Sequence, residues 1–206
     1  LGDVYKRQDM REITISDKSE ACDFIKDSCK ECNRKYECTG ENAAFCNHMK
    51  NILVAKYGAA EGCLKESRIR HSMGVANFLF AYAKSHDWSK EETEDLYLTG
   101  LLHDIGYIDN PKGTDHGRLG AEILKRNGLN AEICELISCH GRFIENPSRK
   151  QALLWLADLC VNRDGDYIGY QKRYESIKER YKNDPERLFQ VYRILEYLQI
   201  HFSEYR

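Results

Sequence analysis

The chain has 206 residues, which is enough for one domain with a full hydrophobic core and a small additional segment. Its 31 Lys and Arg residues nearly balance its 33 Asp and Glu residues, and the formal net charge is −2. This balance argues against an extended basic surface for nucleic acid, although a local basic cluster would be enough to bind a nucleotide. No apolar run approaches the roughly 18–20 residues of a membrane-spanning helix, and no signal peptide is recognisable. We therefore expect a soluble, cytoplasmic protein.

The N-terminal part differs in composition from the rest. The first eight letters, LGDVYKRQ, resemble the translation of an adapter used in DNA library preparation, and we expect residues 1–8 to be an artefact of that origin. Residues 9–63 are expected to form a Cys-rich N-terminal segment, and residues 64–206 a helical catalytic domain. Six of the nine cysteines lie between Cys22 and Cys63. In a reducing compartment such clustering favours metal binding over disulfides.

Four of these cysteines have the spacing C-x2-C-x5-C-x7-C. They are Cys29, Cys32, Cys38 and Cys46. The close first pair is typical of structural zinc and of Fe–S clusters, and zinc fits the spacing better. Because no second C-x2-C pair is present, buried or incidental thiols remain the alternative. Three further cysteines fall in apolar helical segments and are expected to pack as small hydrophobic residues: Cys134, Cys139 and Cys160.

The remainder of the chain predicts helices, because apolar residues recur three or four positions apart. The predicted helical segments are 65–87, 89–106, 116–128, 130–141, 148–165 and 166–203. Ser89 is the expected N-cap and Gly106 the expected C-cap of the second segment, and Pro185 opens the last helix. No alternation typical of β-strands is present, so the predicted fold is an all-α, compact helical bundle.

The last segment is rich in tyrosine and in basic residues. Its tyrosines have near-helical spacing, at Tyr167, Tyr170, Tyr174 and Tyr181. A platform for stacking bases is one interpretation. We favour a helix that packs its aromatic side onto the bundle and leaves its Lys and Arg side chains in solvent.

Histidine and aspartate recur at predicted helix ends and on predicted helices whose neighbouring residues are apolar. The residues are His71, His103, Asp104, His116, His140 and Asp158. Any one of them alone would be an ordinary polar residue satisfied by its neighbours. The adjacent pair in GLLHDIG is different, because charged residues are rarely buried without a partner and neighbours on a helix point about 100° apart. A cation beside the helix end would be a common partner for both side chains.

The order of these residues resembles the HD-domain superfamily of metal-dependent phosphohydrolases. The similar segments are RHSMGVA, GLLHDIG, HGRLGAEIL, ISCHG and LADL, which together cover residues 66 to 165. The resemblance implies a bundle of the HD type in residues 64–206 and a metal site of His71, His103, Asp104 and Asp158. His116 and His140 mark the subset with two metal ions, bridged by Asp104. The segment RHSMGVA resembles that of the hydrolases of symmetrical diadenosine tetraphosphate, in which the stretch between HD and the next histidine tends to be longer.

This resemblance implies hydrolysis of a phosphoester or phosphoanhydride by metal-activated hydroxide. Imidazole and carboxylate ligands suit divalent Fe, Mn, Co, Ni or Zn, and two such ions can activate water and neutralise charge on phosphate. The expected substrate is a small phosphorylated molecule, either a nucleotide or a dinucleoside polyphosphate. Catalytic roles are predicted for His103 and Asp104, and phosphate contacts for Lys112 and Arg142. Weaker candidates for phosphate contacts are Arg70 and Arg163.

One position departs from the family pattern. Many of these phosphohydrolases have a lysine after HDIG or HDIA that contacts phosphate, whereas this chain has Tyr107. The superfamily also contains mixed-valent diiron oxygenases with the same six ligands. An oxygenase and a non-catalytic domain that binds metal or nucleotide are therefore the alternatives to a hydrolase.

Overall fold

The structure, a computed structural model, describes residues 66–108 and 115–206, and these ranges are helical almost throughout. The α-helices are α1 (Glu66–Ser85), α2 (Lys90–Leu102), α3 (His116–Arg126), α4 (Ala131–Cys139), α5 (Arg149–Cys160), α6 (Tyr170–Arg180) and α7 (Pro185–His201). Short 3-10 helices cover Ile105–Ile108 and Ser203–Tyr205. The predicted all-α bundle is confirmed for these ranges. The predicted Cys-rich segment and Lys112 lie outside the described residues.

Helix α5 forms the centre of the bundle, because its sequence is apolar on every side. Trp155 is only 1% exposed, and nearly all the residues from Gln151 to Cys160 are buried. Helices α1, α2, α4, α6 and α7 pack around it. Cys134 and Cys160 are buried in the interior, and Cys139 is half-buried. No helix in the described part of the chain is long and apolar enough to span a lipid bilayer.

The N-terminus of α2 has the capping box that its sequence indicates. The Ser89 hydroxyl accepts a hydrogen bond from the Glu92 backbone N–H, and the Glu92 carboxylate accepts one from the Ser89 backbone N–H. These bonds satisfy backbone donors that a helix terminus otherwise leaves without partners. Side chains also cap α4, α5 and α7, and they belong to Asn130, Ser148 and Asp184.

The predicted C-cap of α2 at Gly106 is wrong. The α-helix ends at Leu102, and Gly106 lies within the 3-10 helix Ile105–Ile108. A Cβ at Gly106 would collide with the backbone carbonyl oxygen of His116 and the backbone nitrogen of Gly120. Glycine therefore permits close packing of the 3-10 helix on α3, and this contact sets the two segments that carry His103, Asp104 and His116 side by side.

The predicted end of α5 at residue 165 is also wrong. The helix ends at Cys160, and Val161 forms an isolated antiparallel bridge with Tyr167. A turn joins the two residues, with Gly165 at φ 86°. The turn is closed by the backbone N–H of Asn162, which donates to Asp166. Pairing between residues only six positions apart ends the helix here, and it places the Asn162 carbonyl beside α1.

Candidate metal centre

The structure brings the six predicted ligand residues together in one buried centre. They come from five helices or helix ends: His71 from α1, His103 and Asp104 after α2, His116 from the start of α3, His140 after α4, and Asp158 from α5. Three groups have ligand atoms within 4.8 Å of one another: His71, His103 and Asp104; His103, His140 and Asp158; and Asp104, His116 and His140. The bundle is thus built around a concentration of metal-binding side chains.

Backbone carbonyls orient three of the four imidazoles. The pairs are His71 Nδ1 with Asn162 O at 3.0 Å, His103 Nδ1 with Gly100 O at 2.7 Å, and His140 Nδ1 with Ile137 O at 2.6 Å. A carbonyl only accepts hydrogen bonds, so Nδ1 carries the proton in each case. When these imidazoles are neutral, their Nε2 lone pairs therefore face the centre. This is the arrangement by which outer hydrogen bonds hold metal-binding histidines.

The facing atoms in the centre fit a cation. His103 Nε2 is buried without a hydrogen-bond partner, and it lies 3.6 Å from Asp104 Oδ2 and 3.9 Å from Asp158 Oδ1. His71 Nε2 lies 2.9 Å from the same Asp158 oxygen. A lone pair that faces a carboxylate oxygen is repelled unless a proton or a metal ion lies between them. Imidazole nitrogen and carboxylate oxygen are also the donors that divalent transition metals prefer.

The two oxygens of Asp104 face different nitrogen atoms. Its Oδ1 lies 3.4 Å from His116 Nε2 and 3.7 Å from His140 Nε2. Its Oδ2 lies on the side of His103 and is 2.7 Å from Arg68 Nη1. The carboxylate is 3% exposed, so water contributes little to its solvation. The two oxygens of one carboxylate therefore face two different groups of imidazole nitrogens.

Burial and neighbouring charges set the protonation of the centre. Burial lowers the pKa of His103 to about 4 and that of His116 to about 3, so both imidazoles are neutral near pH 7. Burial alone would lower the pKa of His140, but its interactions with Asp104 raise it. Burial alone would raise the pKa of Asp104 and Asp158, but neighbouring His residues, and Arg68 beside Asp104, hold both well below the usual range. Both carboxylates are therefore charged.

Tyr107, directly after the HDIG segment, packs against the centre. Its ring stacks on that of His116, with centroids 4.1 Å apart and 18° between the planes. The guanidinium of Arg68 lies 3.9 Å from the centroid of the Tyr107 ring. Burial raises the pKa of Tyr107, so its phenol stays protonated. Arg68 thus lies between the Tyr107 ring and the Asp104 carboxylate.

A pocket opens from the centre, and most of its charged lining is basic. It contains Asp104, His116, His140 and Asp158, and its arginines are Arg68, Arg118, Arg142, Arg173, Arg180 and Arg187. Of the sequence-predicted cations, Arg142 lines the pocket, and its Nη2 lies 3.3 Å from Asp115. Arg70 pairs with Asp164 at 3.4 Å, Arg163 is exposed, and neither lines the pocket.

Sequence reasoning missed five of the six pocket arginines. Arg68 precedes His71 by three residues, and this helical spacing places the two on one face, which could have identified it. The tyrosine-rich segment does pack on the core, as predicted, with Tyr170 buried. The expectation that its cations are in solvent is wrong for Arg173, which is 4% exposed. Helical periodicity gives no signal for a buried arginine.

Comparison with known proteins agrees with an all-α protein built around a His/Asp centre. The model of the HD domain family matches residues 68–188. The chain therefore belongs to the HD domain family. It is similar to ribonuclease Y of Fervidobacterium nodosum, with 35% identity over 40% of this chain and 18% of the relative. It is also similar to an uncharacterized protein of Methanocaldococcus jannaschii, with 31% identity over 36% of this chain and 45% of the relative.

The chain thus spans less than half the length of either of these curated relatives. No solved structure gives a significant match to it.

Proposed function

We propose that this protein is a metal-dependent phosphohydrolase that cleaves a phosphoester or phosphoanhydride bond of a nucleotide or dinucleoside polyphosphate. One observation carries the proposal. Nε2 atoms oriented by backbone carbonyls converge with the buried Asp104 and the half-buried Asp158 beside a pocket rich in arginine. The donors suit a cation, and the arginines suit an anion bound next to it. Divalent ions assist the hydrolysis of phosphoester and phosphoanhydride bonds in this way.

The residues divide into two sets of donors that share Asp104. The first set is His71, His103, Asp158 and Asp104 Oδ2, and the second is His116, His140 and Asp104 Oδ1. Divalent Fe, Mn, Co, Ni or Zn would fit these ligands. When bound, two such ions would polarise a phosphoryl oxygen and activate water.

Other side chains would position the phosphate. Arg68 is held by Asp104 and by the ring of Tyr107, so its guanidinium is fixed at the edge of the centre. We propose that it supplies the positive charge that a lysine at position 107 supplies in many relatives. Arg142, at the mouth of the pocket, would contact a more distant part of the substrate. The carbonyls that hold the Nδ1 protons keep the imidazoles in place during the reaction.

One relative supports phosphate chemistry in general. By its name, ribonuclease Y acts on RNA, which is linked by phosphate esters. The near-balanced charge of the present chain favours a small nucleotide over a long nucleic acid. The following experiment distinguishes a hydrolase from an oxygenase with the same ligands.

The test combines metal analysis with anaerobic hydrolysis. The full chain is reconstituted with Mn²⁺, Co²⁺ or Fe²⁺, and release of phosphate or nucleoside phosphate from ATP and diadenosine tetraphosphate is measured. We expect two ions per chain, turnover without O₂, and a loss of at least about a hundredfold in Asp104→Asn. His86→Gln is the matched control, because His86 is exposed and lies outside the centre.

Three results would contradict the proposal. The proposal of a metal site is wrong if fewer than one ion per chain binds and Asp104→Asn changes neither metal content nor activity. Consumption of O₂ without phosphate release would identify an oxygenase. Nucleotide binding without turnover for any metal would identify a binding domain.

A further inference from the structure

Helix α6 presents one face to the pocket beside the metal centre. The residues on this face are Arg173, Ile177, Arg180 and, directly after the helix, Tyr181. Their spacing of four, three and one places them on the same side of a helix. At about 1.5 Å per residue, Arg173 and Arg180 are about 10 Å apart along the axis. Two cations are therefore arranged in line, with Arg173 nearer to Asp158.

Arg173 is a buried cation without an adequate partner. It is 4% exposed, and its Nε atom is buried without a hydrogen bond. Among the described residues, the carboxylates that attract it are Asp158 and Asp104. Both belong to the proposed metal centre, so their charge is engaged by cations when the centre is loaded. Burying a charge without a partner is unfavourable, and an anion in the pocket would supply the missing partner.

The outer end of this face carries two further cations, Arg180 and Arg187, of which Arg187 also pairs with Asp184 at 3.6 Å. The guanidinium of Arg187, from α7, lies 4.3 Å from the centroid of the Tyr181 ring. Burial alone would raise the pKa of Tyr181, but Arg187, Arg68 and Arg180 together lower it. A phenol whose ionisation becomes easier despite burial reports a local excess of positive charge. This end of the pocket is thus suited to a second anionic group.

We propose that Arg173, Arg180 and Arg187 bind a chain of at least two phosphoryl groups that extends outward from the metal centre. Arg173 contacts the group nearest the centre, and Arg180 and Arg187 contact the next group. The natural ligand is then an oligophosphate, such as a nucleoside diphosphate or triphosphate or a dinucleoside polyphosphate, and a monophosphate leaves the outer arginines without a ligand. Guanidinium groups suit this role because each can bind phosphate oxygens in bidentate fashion. The inference rests on the proposed function for the position of the reacting group.

The test compares two non-hydrolysable probes on the full-length protein as purified. Methylphosphonate has one anionic group and methylenediphosphonate has two, and isothermal titration calorimetry gives the affinity of each. We expect the diphosphonate to bind at least about tenfold tighter, and Arg180→Gln to reduce the ratio of the two affinities by about tenfold. Lys178→Gln removes the same charge from an exposed position of the same helix and should leave the ratio unchanged. Metal content is measured after each titration, so that loss of metal to the diphosphonate is recognised.

Arg173→Gln tests the inner position. It should weaken binding of both probes, while the melting temperature of the unliganded protein should not fall, because the substitution removes a buried charge without a partner. A marked fall in this melting temperature would assign Arg173 a structural role and overturn its part of the proposal. Arg173→Lys keeps the charge but loses the bidentate geometry, and it should recover part of the affinity.

Kinetics separate this inference from the proposed function. For Arg180→Gln, the kcat/KM for ATP relative to that for p-nitrophenyl phosphate should fall through a higher KM for ATP. If neither substrate is hydrolysed but the preference for diphosphonate exists and is lost in Arg180→Gln, the hydrolase proposal fails and this inference stands. If hydrolysis occurs and the two probes bind equally, or Arg180→Gln retains the preference, this inference is overturned.

Discussion

His71 Nε2 and Asp158 Oδ1 lie 2.9 Å apart, although 87 residues separate them in the sequence. The other ring nitrogen of His71 is held by the carbonyl of Asn162, in the turn that follows α5. Helix α5 and its turn therefore fix both sides of one imidazole of α1. The first set of proposed metal ligands depends on how α1 and α5 pack.

Loss of His71 should remove one metal ion and spare the other. His71→Gln deletes a donor of the first set only, so we expect the content of the reconstituted protein to fall from two ions to one. Asp158→Asn should have the same effect, and the double variant should be no worse than either single variant, because both act on one site. Metal analysis after dialysis measures this, with His86→Gln as control. Retention of both ions, or loss of both, would contradict the division into two sets.

The turn after α5 should support metal binding through its backbone. Gly165 has φ 86°, and a Cβ there would lie 2.7 Å from the carbonyl oxygen of Arg70. Gly128 has φ 81°, but a Cβ there would meet nothing within 4 Å. Gly128→Ala should therefore cost only the conformational penalty of about 1–2 kcal/mol. Gly165→Ala should cost more and should also weaken metal binding, because it displaces the Asn162 carbonyl.

Urea unfolding and metal titration measure the two effects of these glycine substitutions separately. Equal destabilisation by the two substitutions, with unchanged metal affinity, would show that the turn does not support the centre.

Close packing at Gly106 should be essential for the fold. A Cβ there would collide with backbone atoms of α3, which cannot move aside as a flexible side chain can. Gly106→Ala should lower the free energy of unfolding by about 1–3 kcal/mol or more. At Gly141, which also borders the pocket, the nearest atom to a new Cβ is His116 Cε1 at 4.0 Å. Gly141→Ala should change stability by less than about 0.5 kcal/mol. Chemical denaturation checks both, and a Gly106→Ala protein of normal stability would contradict the packing argument.

The capping box of α2 should make stability depend on pH. Hydrogen bonds from Ser89 lower the pKa of Glu92 below its usual value of 4.5. Because this pKa is lower in the folded state, the carboxylate stabilises the fold above pH 4.5, and the contribution is lost as the pH falls through the folded-state pKa. Glu92→Gln keeps the shape of the cap but removes the charge. It should lower the melting temperature at pH 7, and the difference from wild type should shrink towards pH 4.

Glu91→Gln is the matched control for the capping box, since Glu91 is also in the first turn of α2 but is not part of the box. A difference between Glu92→Gln and wild type that is independent of pH would exclude the charge as its source.

The sequence by itself determined the helices, several of their caps and the order of the centre's residues. Ser89 and Pro185 begin their helices as predicted, because capping and proline geometry are local properties of a few residues. The pattern from His71 to Asp158 predicted which side chains would meet. Their roles as ligands stay predictions, as do the proposed cysteine site and the role of Lys112.

Only the tertiary structure decided what depends on contacts between distant segments. Gly106 is required by the backbone of α3 rather than by a helix end. The carbonyl partner of His71 and the burial of Arg173 have no periodic signature, since both arise from neighbours far away in the chain. Local propensity fixes where a helix can form, whereas packing against distant segments fixes which charges it encloses.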